Sequence, residues 1–239
     1  MNDKFYQPGE QRAARVADLF ATIAARYDLI NDLQSFGLHR RWKKMLVQMS
    51  ELRRGERALD LCCGTGDIAF ALEKAGAEVV GVDFSPAMLE VARKRSLRKK
   101  SAAQFMVGDA LQIPFEDCSF DVVTIGYGLR NLASWERGLE EMLRVLRPGG
   151  RLLALDFGKP DNPVWRRICF FYLGGVVPLF GKIFCRNSAT YAYILESLRA
   201  YPGQRRVEEK LKEMNCRDVT TRNLLGGAMS LHFARKAAN

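Results

Sequence analysis

The chain has 239 residues, 48% of them hydrophobic and 27% charged, which is a typical globular composition with enough length for one substantial core. Lys and Arg number 37 against 27 Asp and Glu, and the net charge of +10 is compatible with nucleic acid or anionic lipid without identifying either. Its six cysteines show no CxxC spacing and it has only two histidines, which argues against a metal site and favours a reducing cytoplasm. Residues 1–10 lack the apolar core of a signal peptide, so a cytoplasmic location is predicted.

The first fifty residues are predicted to be helical. Apolar side chains at helical spacing predict an amphipathic helix over residues 12–27, and a second helix is expected over 40–49. The segment between them, up to residue 43, is interpreted as a connector whose polar and aromatic density is high for that role.

Strands and helices then alternate over residues 58–156, which predicts a parallel sheet with helices on both faces. The strands are expected at residues 58–62, 78–82, 103–107, 121–125 and 151–157. The helices are expected at residues 67–74, 87–98 and 135–146. Pro148-Gly149-Gly150 predicts a stop and a turn before the last of these strands.

The longest apolar segment, residues 168–184, is interrupted by glycine, proline and lysine. It falls short of the roughly 20 apolar residues that cross a bilayer, and it predicts a broken helix pair in a core or at an interface. Two further helices, over 188–201 and 204–214, and two strands, over 217–223 and 228–235, complete the chain.

Residues 58–70 combine a buried strand, a Gly64-Thr65-Gly66 corner and the start of a helix. Ligands of open parallel sheets lie at such strand ends, and glycine lets them approach the backbone closely. The corner matches the loose dinucleotide pattern, but Asp67 in the first helical turn would repel a pyrophosphate. S-adenosylmethionine carries an ammonium and a sulfonium, so it is compatible with that carboxylate. The alternative is that Asp67 only suits the helix dipole.

Further carboxylates accompany the first three strands. Asp83 ends the second strand, where it can accept both hydroxyls of a ribose, and Asp109 ends the third, where it can bind an adenine amino group. Asp60 lies in the first strand and is also compatible with S-adenosylmethionine. A structural alternative exists for Asp83, which precedes a helix cap at Ser85. Three carboxylates at successive strands nevertheless favour a cofactor site.

Four motifs resemble those of class I S-adenosylmethionine-dependent methyltransferases. They are Asp-x-x-Cys-Gly-Thr-Gly-Asp at 60–67, Gly-Val-Asp-Phe-Ser-Pro-x-Met-Leu at 81–89, Gly-Asp-Ala-x-x-x-Pro-Phe at 108–115 and Leu-Arg-Pro-Gly-Gly-Arg-Leu at 146–152. Further segments at 27–32, 35–43, 128–131 and 191–197 resemble the menaquinone/ubiquinone biosynthesis C-methyltransferase family. The resemblance implies an α/β, Rossmann-like fold with a seven-stranded, mostly parallel sheet, helices on both faces and an added helical cap.

The resemblance also implies a set of cofactor contacts. With the carboxylates argued above, the expected S-adenosylmethionine-binding residues are Asp60, Gly64, Thr65, Gly66, Asp83, Asp109 and Ala110. Two positions depart from the family pattern. Gly126 stands where relatives of the ubiquinone pathway often have Ser, and Asp156 stands where Glu is common. The first removes any side-chain contact, and the second shortens the reach of the acid.

Family membership would imply C-methylation of a prenylated quinol ring, from demethylmenaquinol to menaquinol, with the benzoquinol of ubiquinone biosynthesis as the alternative. Carbon becomes nucleophilic when a ring hydroxyl loses its proton. Arg130 is the first candidate to stabilise the phenolate, Asn131 and Tyr27 would orient the quinol or a water, and His39 is the other candidate proton acceptor. The structural alternatives are a surface ion pair for Arg130 and a helix cap for His39. His232 is expected in the core.

Helices of residues 12–49 and 163–200 are expected to cover the substrate. Trp165-Arg166-Arg167 beside the apolar run resembles an interfacial edge, and a basic cluster over 93–100 is either a lipid-attracting patch or a solvated helix end. The prediction is peripheral, salt-sensitive contact with the inner face of an anionic membrane. Nucleic acid is not expected as a partner, and the oligomeric state stays open, with a homodimer as one alternative.

We interpret the chain as one domain because it has no Ser/Gly-rich linker and no repeat. Its expected parts are a helical cap (1–50), an S-adenosylmethionine-binding core (51–160), substrate-side helices (161–216) and terminal strands (217–239). The rival functions are a methyltransferase acting on RNA or another small molecule, an NAD-dependent dehydrogenase and a non-catalytic binding protein.

Overall fold

A single seven-stranded sheet organises the chain in the computed structural model, which describes residue 24, residues 27–178 and residues 189–238, without the side chains of residues 27 and 189–193. The strands are β1 (Arg57–Leu61), β2 (Glu78–Asp83), β3 (Gln104–Val107), β4 (Phe120–Gly126), β5 (Leu146–Phe157), β6 (Arg217–Leu224) and β7 (Met229–Arg235). They lie in the order β3-β2-β1-β4-β5-β7-β6. β7 is antiparallel to both of its neighbours, and the other pairs are parallel. The predicted mostly parallel sheet is confirmed.

Helices cover both faces of this sheet. They are α1 (Tyr27–Ser35), α2 (Leu38–Met49), α3 (Asp67–Lys74), α4 (Pro86–Lys99), α5 (Trp135–Val145), α6 (Pro163–Phe171), α7 (Ala189–Ala200) and α8 (Gln204–Glu213). A π-helical turn, Tyr172–Val176, continues α6, and a 3₁₀ turn occupies Leu129–Asn131. Within the described part of the chain, no helix is long and apolar enough to cross a membrane.

The core has two hydrophobic layers because successive strand residues point to opposite faces of the sheet. Leu59 of β1 and Val123 of β4 pack with Leu139 of α5 on one face. Ala58 packs with Leu72 of α3 on the other face. β1 and β4 are thus buried on both sides, which explains their nearly continuous apolar sequence. Their carboxyl ends open toward the candidate site.

The connector expected after residue 27 is wrong, because this segment is largely helical. α1 ends at Ser35 and α2 begins at Leu38, two residues before its predicted start. Gly37 allows the compact turn between them: its φ is 73°, and its N–H donates to the carbonyl of Asp32 at 2.8 Å. The polar and aromatic density that was high for a connector belongs to helical residues, several of which line a cavity described below.

Two other predictions need correction or qualification. Pro148-Gly149-Gly150 does not end the element before β5; it forms an irregularity inside β5, where the register with β4 shifts and Gly149 has a φ of 75°. The break expected in residues 168–184 is not found in the described part of that segment, residues 168–178, where the π-helical turn continues α6, and residues 179–184 lie outside the described residues. The helix expected over 12–27 also lies almost entirely outside them. The remaining elements agree with their predicted ranges to within a residue or two.

Candidate active site

Two cavities lie next to each other at the carboxyl edge of the sheet. The strand-end cavity, of about 140 Å³, is lined by residues that end or follow β1 to β4. The cap cavity, of about 320 Å³, is enclosed by α1, α2, α6, the π-helical turn, α7 and the end of β5. Tyr127, directly after β4, contributes to both linings. The two spaces therefore meet at the end of the fourth strand.

Asp83 fixes the shape of the strand-end cavity. Its Oδ2 accepts the N–H of Gly64 at 2.7 Å, and its Oδ1 accepts the N–H of Ser85 at 2.9 Å. The carboxylate thereby ties the end of β2 to the glycine corner after β1. Burial raises the pKa of Asp83, while the N–H groups of Ser85 and Gly64 act in the opposite direction. Each carboxylate oxygen can accept more than one hydrogen bond, so these contacts leave capacity for a ligand.

Asp109 and Ala110 line the same cavity after β3. Oδ1 of Asp109 accepts the N–H of Leu111 at 2.8 Å, which closes a turn and orients the carboxylate. Met88 and Leu111 add apolar surface to the wall. A flat aromatic group held by hydrogen bonds at its edge suits this combination of an acid and apolar neighbours.

Three expected cofactor residues line neither cavity. Asp60 is buried within β1, where its Oδ1 accepts the hydroxyl of Thr124 at 2.8 Å, and burial raises its pKa to about 7. Thr65 is buried and donates its hydroxyl to Oδ1 of Asp28 at 2.8 Å. Gly66 begins α3 with a φ of 88°, and a Cβ there would lie 2.9 Å from the Phe105 ring. These three residues stabilise the glycine corner without facing either cavity.

An ionic network joins the helical cap to the glycine corner. Oδ2 of Asp67 lies 2.9 Å from Nζ of Lys43, and its Oδ1 lies 2.5 Å from Nη2 of Arg95. Nη1 of Arg95 also lies 2.8 Å from Oδ2 of Asp28 and donates to the carbonyl of Thr65. Burial alone would raise the pKa of Asp67, but Lys43 and Arg95 together lower it. Asp67 therefore forms ion pairs with two basic side chains, which neither alternative drawn from the sequence predicted. Arg95 points inward and so does not add to a basic surface patch.

The cap cavity is mainly apolar. Among its lining residues are Trp42, Phe157, Phe170, Leu173, Val177 and Leu198. Its polar lining comes from Asn31, Gln34, Ser35, His39 and Arg130. An elongated hydrophobic molecule with a small polar head matches such a lining.

Arg130 lies in the 3₁₀ turn after β4 and forms a buried ion pair. Its Nη1 lies 2.7 Å from Oδ1 of Asp156 and donates to the carbonyl of Tyr127, also at 2.7 Å. Its guanidinium carbon is 4.7 Å from the centre of the Phe157 ring. The exposed fractions of the two side chains are 3% and 1%, so the predicted alternative of a surface pair does not describe this contact. The shorter acid at 156 reaches Arg130 without difficulty.

Asn131 lines the strand-end cavity and donates from Nδ2 to the carbonyl of Tyr127 at 3.2 Å. Asn131 thus lies on the strand-end side of Tyr127, whereas Arg130 lies on the cap side. Tyr27 begins α1, and its side chain lies outside the described residues. His232 is fully buried, with Nε2 3.1 Å from the carbonyl of Gln204, which confirms the expected core position.

His39 is a buried imidazole in the wall of the cap cavity. Its Nε2 lies 3.4 Å from Oδ1 of Asp32, while Nδ1 is buried and has no hydrogen-bond partner among the described residues. Burial and the nearby charge of Lys43 lower its pKa to about 4, so the ring is neutral at pH 7. Its backbone N–H donates to Oγ of Ser35 at 3.3 Å. The His39 side chain therefore does not serve as the helix cap that the sequence left as an alternative.

Gly126 lacks a side chain for a packing reason. A Cβ at this position would lie 2.4 Å from Cδ1 of Ile68, so a serine here would require the Ile68 side chain to move.

Asp28, Asp32 and Asp156 are the site residues that sequence reasoning did not assign. The motif segments at 27–32 contained the first two, but no local pattern identifies their partners.

Comparison with known proteins identifies the family of this chain. The model of the ubiE/COQ5 methyltransferase family matches residues 8–236. A ubiquinone/menaquinone biosynthesis C-methyltransferase UbiE from Ectopseudomonas mendocina is 43% identical over 94% of this chain and 90% of its own length. A demethylmenaquinone methyltransferase from Shouchella clausii is 36% identical over 95% of this chain and 98% of its own length.

The fold is shared more widely. The crystal structure of a SAM-dependent methyltransferase from Thermotoga maritima has a TM-score of 0.64 and 19% sequence identity, covering 92% of this chain and 99% of that one. The sheet order, the carboxylates at the strand ends and the match over nearly the whole chain lead to one assignment. The chain belongs to the ubiE/COQ5 methyltransferase family.

Proposed function

We propose that this protein transfers a methyl group from S-adenosylmethionine to a ring carbon of a prenylated quinol. The naphthoquinol of menaquinone biosynthesis is the favoured ring, and the benzoquinol of ubiquinone biosynthesis is the alternative, since relatives carry both names. The observation that carries the proposal is the meeting of two unlike cavities at Tyr127, one lined by strand-end carboxylates and one by apolar helices. A polar methyl donor could bind in the strand-end cavity and an apolar methyl acceptor in the cap cavity.

The strand-end cavity suits the cofactor. Asp83 would accept the ribose hydroxyls, and Asp109 would accept the adenine amino group, with Met88 and Leu111 beside the ring. When bound, S-adenosylmethionine supplies a methyl group whose bonding electrons remain on sulfur as the methyl leaves. Gly64 would face the methionine end. Asp60, Thr65 and Gly66 would act by supporting that corner.

His39 is the proposed proton acceptor in the cap cavity. A phenol has a pKa near 10, so a base close to the ring hydroxyl assists formation of the nucleophilic phenolate. Nδ1 of the neutral imidazole takes the proton, and Asp32 stabilises the resulting imidazolium through Nε2. The O–H bonding pair stays on oxygen, which forms a C=O bond as a π pair of the ring bonds to the methyl carbon. The methylated ring carbon then loses its hydrogen as a proton to water, and the electrons of that C–H bond restore the aromatic ring.

Arg130 is the proposed electrostatic partner of the phenolate. It remains charged and lines the cap cavity, although Asp156 neutralises part of its field. Tyr27 keeps its proposed orienting role, whereas Asn131 lines the strand-end cavity and would act only indirectly, by holding the Tyr127 carbonyl between the two cavities. Holding the two reactants in line would supply much of the rate.

Methyl transfer can be measured directly. Purified protein incubated with labelled S-adenosylmethionine is expected to label reduced demethylmenaquinone more readily than the corresponding demethylated benzoquinol. Transfer only to the benzoquinol would select the alternative ring. Transfer to neither, with cofactor binding intact, would overturn the proposal.

A thermal-shift measurement provides the binding control. S-adenosylmethionine should raise Tm because it binds the native state, while NAD should leave Tm unchanged. A shift with NAD alone would favour the dehydrogenase alternative.

A membrane surface is the proposed source of the quinol. The α6 helix has no buried residue, and Val164, Ile168 and Phe171 project at helical spacing with exposed fractions of 67%, 51% and 74%. Phe36, at the tip between α1 and α2, is 79% exposed and lines the cap cavity together with Ile168. The apolar surface is therefore continuous with the cavity mouth. Arg166 lies on α6 beside it, as expected for contact with anionic headgroups.

The double variant Val164→Ser/Phe171→Ser is expected to lose sedimentation with anionic vesicles at low salt, because it removes two exposed apolar anchors without touching a cavity lining. Val107→Ser is the matched control, since Val107 is 50% exposed at the end of β3 and lines neither cavity. Wild-type binding should weaken as salt is raised. A wild-type protein that ignores anionic vesicles even at low salt would contradict this proposal.

A further inference from the structure

Tyr127 occupies the boundary between the two cavities. Among the described residues it is the one that the two linings share, since Arg130 belongs to the cap cavity and Asn131 to the strand-end cavity. Tyr127 is therefore placed to contact a ligand in either cavity.

The backbone of Tyr127 is held in an unusual conformation. Its φ is 61°, a left-handed value that bulky residues rarely adopt. Its N–H donates to the carbonyl of Leu155 at 2.7 Å, and its own carbonyl accepts from Arg130 and Asn131. These contacts hold the residue in a conformation that glycine would adopt at lower cost. Conformations of this kind concentrate where geometry serves function.

Both neighbours of Tyr127 are glycines packed against the cofactor side of the sheet. A Cβ on Gly128 would lie 2.5 Å from Cβ of Cys62, directly after β1. A Cβ on Gly126 would collide with Ile68 of α3. The Tyr127 backbone is thereby pressed against the corner that would receive the methionine end of the cofactor.

The Tyr127 ring lies in an aromatic and cationic environment. It contacts Phe157 edge to face, with ring centres 6.1 Å apart. Nζ of Lys43 lies 5.9 Å from its centre, so one cation already lies near the ring. Aromatic faces attract positive charge, and they also pack against other aromatic rings.

We propose that the Tyr127 ring contacts the methyl-bearing sulfonium on one side and the quinol ring on the other, and so aligns the two. The quinol half of this inference rests on the proposed function, whereas the sulfonium half concerns cofactor binding alone. The ring would distinguish the cationic donor from its neutral product, S-adenosylhomocysteine, which has the same adenosine and carboxylate groups. A protein with this ring would thus bind S-adenosylmethionine more tightly, relative to S-adenosylhomocysteine, than a protein without it.

The test compares the Kd of S-adenosylmethionine with that of S-adenosylhomocysteine by calorimetry, without quinol. Tyr127→Phe keeps the ring and should keep the wild-type ratio of the two constants. Tyr127→Leu should weaken S-adenosylmethionine by about tenfold relative to S-adenosylhomocysteine, since the product carries no sulfonium charge. Tyr127→Gly, which suits a φ of 61°, is a second ring-free variant in case leucine disturbs folding.

An unchanged ratio in folded Tyr127→Leu or Tyr127→Gly would overturn the inference. Equal weakening of both ligands would also overturn it, because it would indicate a structural role. The quinol half predicts that Tyr127→Leu lowers kcat at saturating cofactor while Tyr127→Phe largely restores it. Failure of the wild-type protein to methylate either quinol, with the binding ratio behaving as expected, would reject the proposed substrate and leave the sulfonium contact intact.

Discussion

We expect the replacement of His39 with alanine to lower kcat at least about 100-fold, because a positioned general base contributes a factor of roughly 10²–10⁴ to the rate. The affinity for S-adenosylmethionine should hardly change, since His39 lines the cap cavity and not the strand-end cavity. Methyl transfer to reduced demethylmenaquinone at saturating cofactor measures the first quantity, and calorimetry measures the second. Arg41→Ala, an exposed position on the same helix, is the matched control and should retain wild-type turnover.

The pH profile of turnover distinguishes loss of the His39 base from simple loss of structure, because it depends on the titration of the imidazole. The pKa of His39 is lowered to about 4, so the neutral, proton-accepting form exists above that pH and is lost as pH falls through it. The acidic limb of kcat/KM, which reports the free enzyme, should therefore lie near pH 4 instead of the ordinary value near 6.5. The carboxylate of Asp32 raises the pKa of His39, so Asp32→Asn should move that limb to lower pH and lower kcat. Wild-type turnover in His39→Ala would show that the proton goes elsewhere.

Replacing Arg130 with alanine is expected to be the most destabilising single change in the site. The substitution leaves the carboxylate of Asp156 buried without its cation, and breaking a buried pair in this way typically costs about 3–5 kcal/mol. Chemical denaturation measures the loss of unfolding free energy. At temperatures where the variant stays folded, its turnover should also fall, with cofactor affinity nearly intact.

Two comparisons separate charge from packing at this site. The double variant Arg130→Met/Asp156→Asn removes both charges and should recover part of the lost stability, since no buried charge remains alone. The recovery is incomplete because Nδ2 of Asn would face the backbone N–H of either Arg130 or Phe157, both of which donate to Asp156. Arg147→Ala breaks a 2.9 Å pair with Asp121 whose arginine is 46% exposed, and it should cost no more than about 1 kcal/mol. An Arg130→Ala variant as stable as Arg147→Ala would contradict the buried-pair argument. Equal losses of turnover and cofactor affinity would show that Arg130 belongs to the cofactor side.

The sheet could be predicted because its signals are local. Apolar runs, the glycine corner and helix caps each span a few residues, and the parallel alternation follows from their order. Asp83 and Asp109 could be placed for the same reason, because carboxyl ends of neighbouring parallel strands share one edge. The position of Asp60 could not be predicted in this way, because Asp60 precedes the end of its strand and its side chain is buried against Thr124.

The partners of the charged residues could not be predicted from the sequence. Asp28 and Arg95 are 67 positions apart, and Arg130 and Asp156 are 26 apart, so no periodicity connects them. α1 was missed because its short helix is rich in polar residues that face a cavity, which resembles the composition of a loop. Packing of the cap against the corner, and not local propensity, gives that segment its structure.

The ionic network around Asp67 connects the glycine corner to the cap cavity through α1. Through Asp28, α1 holds the hydroxyl of Thr65 at the corner, and through Asn31 and Gln34 the same helix forms part of the wall of the cap cavity. A ligand that rearranges one end of this helix alters the space at the other. Each substrate should therefore change the affinity for its partner, and by linkage the factor must be identical whichever binds first.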